Sequence, residues 1–143
     1  MTTTAARSNA TGTPGYSETM PCEPGSARRA RLLISTALNA WGLGTLTDAG
    51  TLIVSELVAN VISHTRCRVA RVAVTRHGTG AVRIAVGDTC LSAPTMTSLA
   101  DDSGGGRGLF LVDAMSDRWG YDLHRASKVV WAELGLKPEG TEP

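Results

Sequence analysis

The centre of the sequence reads Glu56-Leu57-Val58-Ala59-Asn60-Val61-Ile62-Ser63-His64. At about 100° per residue, a helix over this stretch places Glu56, Asn60 and His64 within an arc of about 80°. Ile53 and Leu57 lie in or beside that arc, so polar side chains interrupt the expected core-facing stripe. Because a buried carboxylate or amide needs partners, a ligand or a metal ion is one way to satisfy them. The alternative is a helix with one solvated polar face and an apolar stripe elsewhere, formed by Val54, Val58 and Val61.

The composition is that of one small globular domain. The chain has 143 residues, of which 42% are hydrophobic, enough for a modest core. Its formal net charge of +1 gives no general attraction to nucleic acid or to an anionic membrane. No apolar run approaches the length of a membrane span. We therefore expect no direct nucleic-acid partner and no membrane partner.

The three cysteines, Cys22, Cys67 and Cys90, are odd in number and show no metal-ligand spacing. Free thiols in a reducing compartment are the simpler interpretation. The first residues also lack the basic-then-apolar order of a secretory signal. These features together predict a cytoplasmic protein.

Hydrophobic periodicity divides the chain into three parts. Residues 1–25 are rich in Thr, Ser, Gly, Pro and Ala, and we expect a flexible N-terminal tail with room for one short ordered piece near its end. Residues 26–136 form the domain, and residues 137–143 are expected to be a flexible C-terminus. The predicted helices and strands are helices over 26–41, 47–65 and 108–115, and strands over 69–76, 81–88, 118–124 and 128–134. This order predicts an α+β sandwich, with helices on one face of a largely antiparallel sheet.

Asp88 follows an alternating strand and shares the phase of its apolar residues Val82, Ile84 and Val86. Its carboxylate should therefore point toward the helix layer at the end of the strand. A carboxylate placed there can accept hydrogen bonds from an amino group such as the exocyclic amine of adenine. The alternative is an aspartate that opens a turn through its own backbone.

A glycine-rich stretch, Gly104-Gly105-Gly106-Arg107-Gly108-Leu109, comes just before an apolar helix. Glycines let a backbone approach a bulky anion, and a helix N-terminus offers unpaired N–H donors. The stretch is neither a Walker A loop nor a dinucleotide fingerprint, because Gly-Lys-Ser/Thr is missing and Leu109 stands where the last glycine belongs. The pattern predicts a phosphate cradle, with a plain glycine hinge as the alternative.

Together these features resemble the GHKL superfamily, the ATP-binding fold of gyrase, Hsp90, histidine kinases and MutL. More closely, the chain resembles anti-sigma-factor serine/threonine kinases of the SpoIIAB and RsbW type, in their actinobacterial form. The resemblance implies a two-layer α/β sandwich of the Bergerat type, with a mostly antiparallel mixed sheet. The matching motifs are the N box at 55–64, the first glycine box Val86-Gly87-Asp88 with Pro94, the second glycine box at 106–112, and the closing strand Lys128-Val129-Val130-Trp131.

The resemblance implies a role for each matching residue. Asn60 would ligate Mg²⁺, and Glu56 would activate the hydroxyl that attacks ATP. Asp88 would bind the adenine amine. The other residues implied in binding the cofactor are His64, Pro94, Gly104, Gly105, Gly106, Arg107, Gly108, Leu109 and Lys128. Where the family at large has glycines after Asp88, this chain has Thr89-Cys90-Leu91-Ser92-Ala93-Pro94.

The function implied by the resemblance is an ATP- and Mg²⁺-binding regulator that phosphorylates an anti-sigma-factor antagonist, a STAS-type protein. A sigma factor would be the second partner, and the family often forms homodimers. One alternative is a non-catalytic module that binds ATP, or has lost it, and acts by sequestering a sigma factor or another regulator. A nucleotide-free structural subunit is a further alternative, which requires protein or water to satisfy the polar trio at 56, 60 and 64.

Overall fold

The computed structural model describes residues 5–8, 14–64, 68–88, 105–124 and 127–135. Within these ranges the chain forms three α-helices, six β-strands and one 3₁₀ turn at Gly44–Leu46. The elements in chain order are β1 (Ala5–Ser8), β2 (Pro14–Pro21), α1 (Ser26–Ala40), α2 (Thr47–His64), β3 (Val69–His77), β4 (Ala81–Asp88), α3 (Gly105–Met115), β5 (Arg118–His124) and β6 (Ser127–Leu134).

The six described strands form one sheet in the order β1-β2-β3-β4-β6-β5. Each of the five pairings between neighbouring strands is antiparallel. The exchange of β5 and β6 in this order places β4 beside β6, so the strand that carries Asp88 is central rather than at an edge. The predicted α+β sandwich with a largely antiparallel sheet is confirmed.

The helices cover one face of the sheet. Val72 and Val74 of β3 and Ile84 and Val86 of β4 alternate with less buried residues and are completely buried, as expected of strands with one face against a core. α2 lies at the centre of the helix layer, where it packs against α1, α3 and β4. It contributes five buried residues to the core: Ile53, Val54, Leu57, Val58 and Val61.

β2 corrects the expectation of a flexible tail over residues 1–25. Pro14–Pro21 is a full strand of the sheet, which pairs with β3 from Gly15 opposite Thr75 to Pro21 opposite Val69. Met20 on its helix-facing side is buried in the core. Glu18 on the same side forms an ion pair with Arg29 of α1, which explains how a charged residue can face the helix layer. The expectation of flexibility is therefore wrong for this segment.

The segment Gly44–Ile62 corrects a second expectation, that no apolar run approaches the length of a membrane span. Its 19 residues have a mean hydropathy of 1.3, so by length and composition alone the segment could cross a membrane. The core helix of a globular protein passes the same test. Here five apolar side chains of α2 are buried in the core that the helices share with the sheet, and 33% of the segment is buried in all.

Candidate functional site

Asp88 is the last residue of β4, and its side chain points toward the helix layer as the alternation predicted. It is only 4% exposed. Directly opposite on β6 lies Lys128, which is also buried. The Lys128 Nζ atom is 4.0 Å from Asp88 Oδ2. The end of β4 thus presents a charged pair to the helix layer.

Cys22 lies at the same end of the sheet. It follows β2, and its backbone N–H donates to the carbonyl of Arg68, just before β3. Burial raises the pKa of the Cys22 thiol, and the negative charge of Asp88 raises this pKa further. The thiol and the carboxylate are therefore near neighbours, although 66 positions of sequence separate them.

Glu56 and Asn60 lie on α2 as predicted, one turn apart, but both side chains are half-buried rather than buried. The fully buried stripe of this helix runs beside them and includes both Leu57 and Val58. Because solvent reaches Glu56 and Asn60, their position does not by itself require a ligand, and the argument from an unpaired buried carboxylate is wrong. Glu56 and Asn60 thus place an acid and an amide at the margin of the core.

The orientation of α2 separates these two residues from α1. The Arg31 side chain of α1 donates a hydrogen bond to Ser55 Oγ, with a distance of 3.1 Å, which marks the side of α2 that faces α1. At about 100° per residue, Glu56 and Asn60 lie about 100° and 140° around the helix from Ser55. Both residues are therefore directed away from the α1 contact.

α3 begins at Gly105, three residues earlier than predicted. Gly105, Gly106, Arg107 and Gly108 are thus the first turn of the helix and not a loop before it. Because glycine has a low helix propensity, the sequence pattern predicted that this helix starts only at Gly108. The first four N–H groups of a helix have no partner within it, so this turn presents backbone donors from residues that bring little bulk. Its first turn contains no acidic residue.

Leu109 fixes this helix to the rest of the domain. It is buried, as is Val112 one turn later, and α3 packs against α2. The packing places the N-terminal turn of α3 in the same layer as the helix that carries Glu56 and Asn60. The buried side chain of Leu109 positions α3, and the cofactor-binding role that the resemblance implies for this residue stays a prediction.

Several predicted site residues are only partly described. Pro94 and Gly104 lie outside the described residues, as does all of 89–104. His64 is the last residue of α2 and Arg107 is in α3, but their side chains lie outside the described part. Within the described residues, no group of three or more His, Cys, Asp or Glu side chains could hold a metal ion.

The helix-free face of the sheet carries a depression of about 330 Å³. Its lining includes Thr19 of β2, Ala73 of β3, Ala85 of β4 and Val129 of β6. In the strand register these residues alternate with the core-facing positions. Asp88, the last residue of β4, also borders the depression, so the two faces of the sheet meet at this end of the strand.

Two relationships at this site were not predicted from the sequence. Cys22 lies close to Asp88, and Asp88 lies directly opposite Lys128. Both depend on strand register. Pairing β4 with β6 instead of with β5 requires a crossover, and β2 was not predicted at all. The only signal in the sequence was a lysine with alternating apolar residues after it, Val130 and Ala132, which places Lys128 in phase with a buried face.

The model of the histidine kinase-like ATPase domain matches residues 20–134, from the end of β2 to the end of β6. A comparison with curated protein sequences found no match. The matched range contains Glu56, Asn60, Asp88, the first turn of α3 and Lys128, and a domain of this family is a GHKL-type domain for binding ATP. The chain therefore belongs to the histidine kinase-like ATPase domain family.

Proposed function

We propose that this protein is an anti-sigma-factor serine/threonine kinase that uses ATP and Mg²⁺ to phosphorylate a STAS-type anti-sigma-factor antagonist. Membership of the histidine kinase-like ATPase family supports the nucleotide. The single observation that carries the proposal is the buried carboxylate of Asp88 at the end of a central strand, facing the helix layer. The resemblance to kinases of the SpoIIAB and RsbW type supports the activity and the partners.

The base of the nucleotide fits the end of β4. The adenine amine is a donor, and an ionised carboxylate offers only acceptors. Asp88 is nearly inaccessible to water, so a hydrogen bond to it would be formed in a medium that strengthens it. This arrangement favours a purine with an amino group over one with a carbonyl group at the same position.

The phosphates fit the first turn of α3. Its backbone N–H groups and the positive end of the helix dipole favour an anion, and its glycines allow close approach. Mg²⁺ would neutralise phosphate charge during phosphoryl transfer, and the amide oxygen of Asn60 is the kind of hard ligand that Mg²⁺ accepts. The half-buried position of Asn60 suits a residue that must reach a solvated ion.

Glu56 would serve as the general base. It lies one turn before Asn60, on a side of α2 directed away from α1. Its partial exposure lets a serine or threonine hydroxyl of a partner protein approach, donate a hydrogen bond to the carboxylate and transfer its proton to it. The same carboxylate could instead orient a water molecule on Mg²⁺, in which case the domain would bind ATP without transferring phosphate to a protein.

The proposal includes a sigma factor as the second partner, a cytoplasmic location and a homodimer as the assembly. The formal net charge of +1 supports protein partners over nucleic acid or an anionic membrane.

The experiment that tests the function uses the full chain, labelled ATP and a partner isolated by pull-down. Transfer of label to a serine or threonine of that partner supports the kinase. If the chain binds ATP and the partner but transfers no label, the alternative holds and the domain acts by sequestration. If the chain binds no ATP, the nucleotide-free alternative replaces both.

A further inference from the structure

The cross-strand pair of Asp88 and Lys128 has almost no contact with water. The side chain of Asp88 is 1% exposed and that of Lys128 is 7% exposed. They face each other in the register of β4 and β6, with 4.0 Å between Lys128 Nζ and Asp88 Oδ2. Removing two charges from water is unfavourable unless they compensate one another and have further polar partners. The pair therefore joins the end of β4 to the start of β6 through two buried charged groups.

We propose that Lys128 is a positioning residue that sets the selectivity of this site for 6-aminopurine nucleotides, by holding the Asp88 carboxylate as a charged and oriented acceptor. The inference rests on the proposed function, because it concerns the base that Asp88 binds. It adds to that function a second residue, which acts through Asp88 and not on the nucleotide.

The chemistry of the purine explains why the charge matters. A 6-aminopurine presents a donor to Asp88, whereas a 6-oxopurine presents an acceptor at the same position. Two acceptors facing each other cannot form a hydrogen bond, so a charged carboxylate selects against the 6-oxo group. A neutral carboxylic acid carries one donor and would lose that discrimination. The ammonium group of Lys128 lies 4.0 Å from Asp88 Oδ2, where it attracts the carboxylate.

The two strands beside β4 give Asp88 different neighbours. Ala70, which pairs with Asp88 on the other side in β3, brings no charge. Lys128 is thus the cation that the sheet itself supplies to this carboxylate, from the strand on its other side.

Orientation is the second contribution of Lys128. An aspartate at the end of a strand could rotate toward solvent or form a turn with its own backbone. An ammonium group directly opposite in the register favours the rotamer that faces the helix layer. The carboxylate is then in place before the nucleotide arrives, which lowers the entropic penalty of binding.

The test compares Lys128→Met with Lys128→Arg by calorimetry, using ATP, adenosine and GTP. Methionine keeps much of the length and removes the charge, whereas arginine keeps the charge. We expect Lys128→Met to weaken the binding of ATP and of adenosine by a similar factor, about ten- to a hundredfold. The ratio of ATP affinity to GTP affinity should also fall. Lys128→Arg should restore most of the affinity and the selectivity. Arg71→Met, which removes an exposed cation bonded to Ser17 on the helix-free face, is the matched control and should leave the affinities unchanged.

A double-mutant cycle separates action through Asp88 from an independent role. In an Asp88→Asn background, Lys128→Met should change ATP affinity by less than about threefold, because its partner is already neutral. Unfolding curves for each variant show whether the assay temperature lies below the transition. If Lys128→Met weakens the binding of ATP but not of adenosine, Lys128 contacts a phosphate and the proposal fails.

Equal losses in the presence and absence of Asp88 would also overturn it, as would a parent protein that prefers GTP. Failure of the proposed function itself has a different signature. In that case the parent binds neither ATP nor adenosine, and no variant changes this.

Discussion

The thiol of Cys22 lies close enough to the carboxylate of Asp88 for the charge of Asp88 to raise its pKa, in addition to the effect of burial. Because the thiolate is the reactive form, Cys22 should be alkylated slowly at neutral pH and faster as the pH rises. Asp88→Asn removes the charge and should increase the rate at neutral pH. Mass spectrometry of the Cys22 peptide measures this rate without interference from Cys67 and Cys90. A rate that Asp88→Asn leaves unchanged would show that the charge does not reach the thiol.

Asp88→Asn should also weaken the binding of ATP. The substitution keeps the shape of the side chain and removes a charge-assisted hydrogen bond worth roughly 1.5–3 kcal/mol, which corresponds to about ten- to a hundredfold in affinity. Calorimetry measures the dissociation constants. Glu23→Gln, which neutralises an exposed carboxylate before α1, is the control and should leave them unchanged. Equal ATP affinity for the parent and Asp88→Asn would remove Asp88 from the adenine site.

Mg²⁺ together with ATP should raise the melting temperature, because a ligand that binds only the folded state stabilises it. At a concentration a hundred times the dissociation constant, the free energy of unfolding increases by about 2.7 kcal/mol. Asn60→Ala should abolish the part of this increase that depends on Mg²⁺. Asn39→Ala, which alters an exposed asparagine of α1, should not. Melting curves that respond to ATP equally with and without Mg²⁺ would contradict the role of Asn60.

Glu56→Gln should affect the chemical step alone. A general base typically contributes about 10²- to 10⁴-fold, so transfer of labelled phosphate to the antagonist should fall by roughly that factor. Since glutamine keeps the shape and Glu56 is only half-buried, the affinities for ATP and for the partner should change little. A variant that transfers phosphate at the parent rate would leave the kinase in place but exclude Glu56 as its base.

Glu133 should make the stability of the fold depend on pH in the acid range. It is buried on β6 and bonded to Arg83 of β4 and Arg118 of β5. Burial alone would raise the pKa of Glu133, but the hydrogen bonds and charges of the two arginines outweigh it and lower this pKa. Its contribution to stability is therefore complete above the ordinary glutamate pKa and is lost as the pH falls through the lowered value.

Glu133→Gln tests this contribution. We expect it to reduce the free energy of unfolding by about 1–3 kcal/mol at neutral pH, with the difference from the parent shrinking in acid. Denaturant titrations at several pH values measure the difference. Asp122→Asn, an exposed acid of β5, is the control. A difference that stays constant down to the lowest pH would show that the ionisation of Glu133 does not stabilise the fold.

The sequence predicts most of the domain because its signals are local. β4 alternates strictly, so its bounds and the direction of Asp88 were predicted correctly. α3 begins three residues earlier than predicted because packing by Leu109 and Val112 outweighs the low helix propensity of glycine. The stretch predicted to be a phosphate cradle is therefore the first turn of a helix and not a loop before it.

The remaining features depend on which elements become neighbours. The partial exposure of Glu56 depends on how α1 and α3 pack around α2. It therefore cannot be predicted from a helical projection of the sequence. β2 escaped prediction because its helix-facing side includes Glu18, which breaks the apolar alternation. Only the position of Arg29 on α1 makes that charge compatible with a strand.

β2 also has a consequence for the order in which the chain can fold. Met20 pairs with Ala70, fifty positions later, so β2 leaves the ribosome long before β3 exists to receive it. Pairings between distant segments form late, and until then the edge of β2 that faces away from β1 is unpaired and exposed to aggregation. The low apolar content of Pro14–Pro21, which hides the strand from pattern analysis, lets the nascent segment stay in solution until its partner has been made.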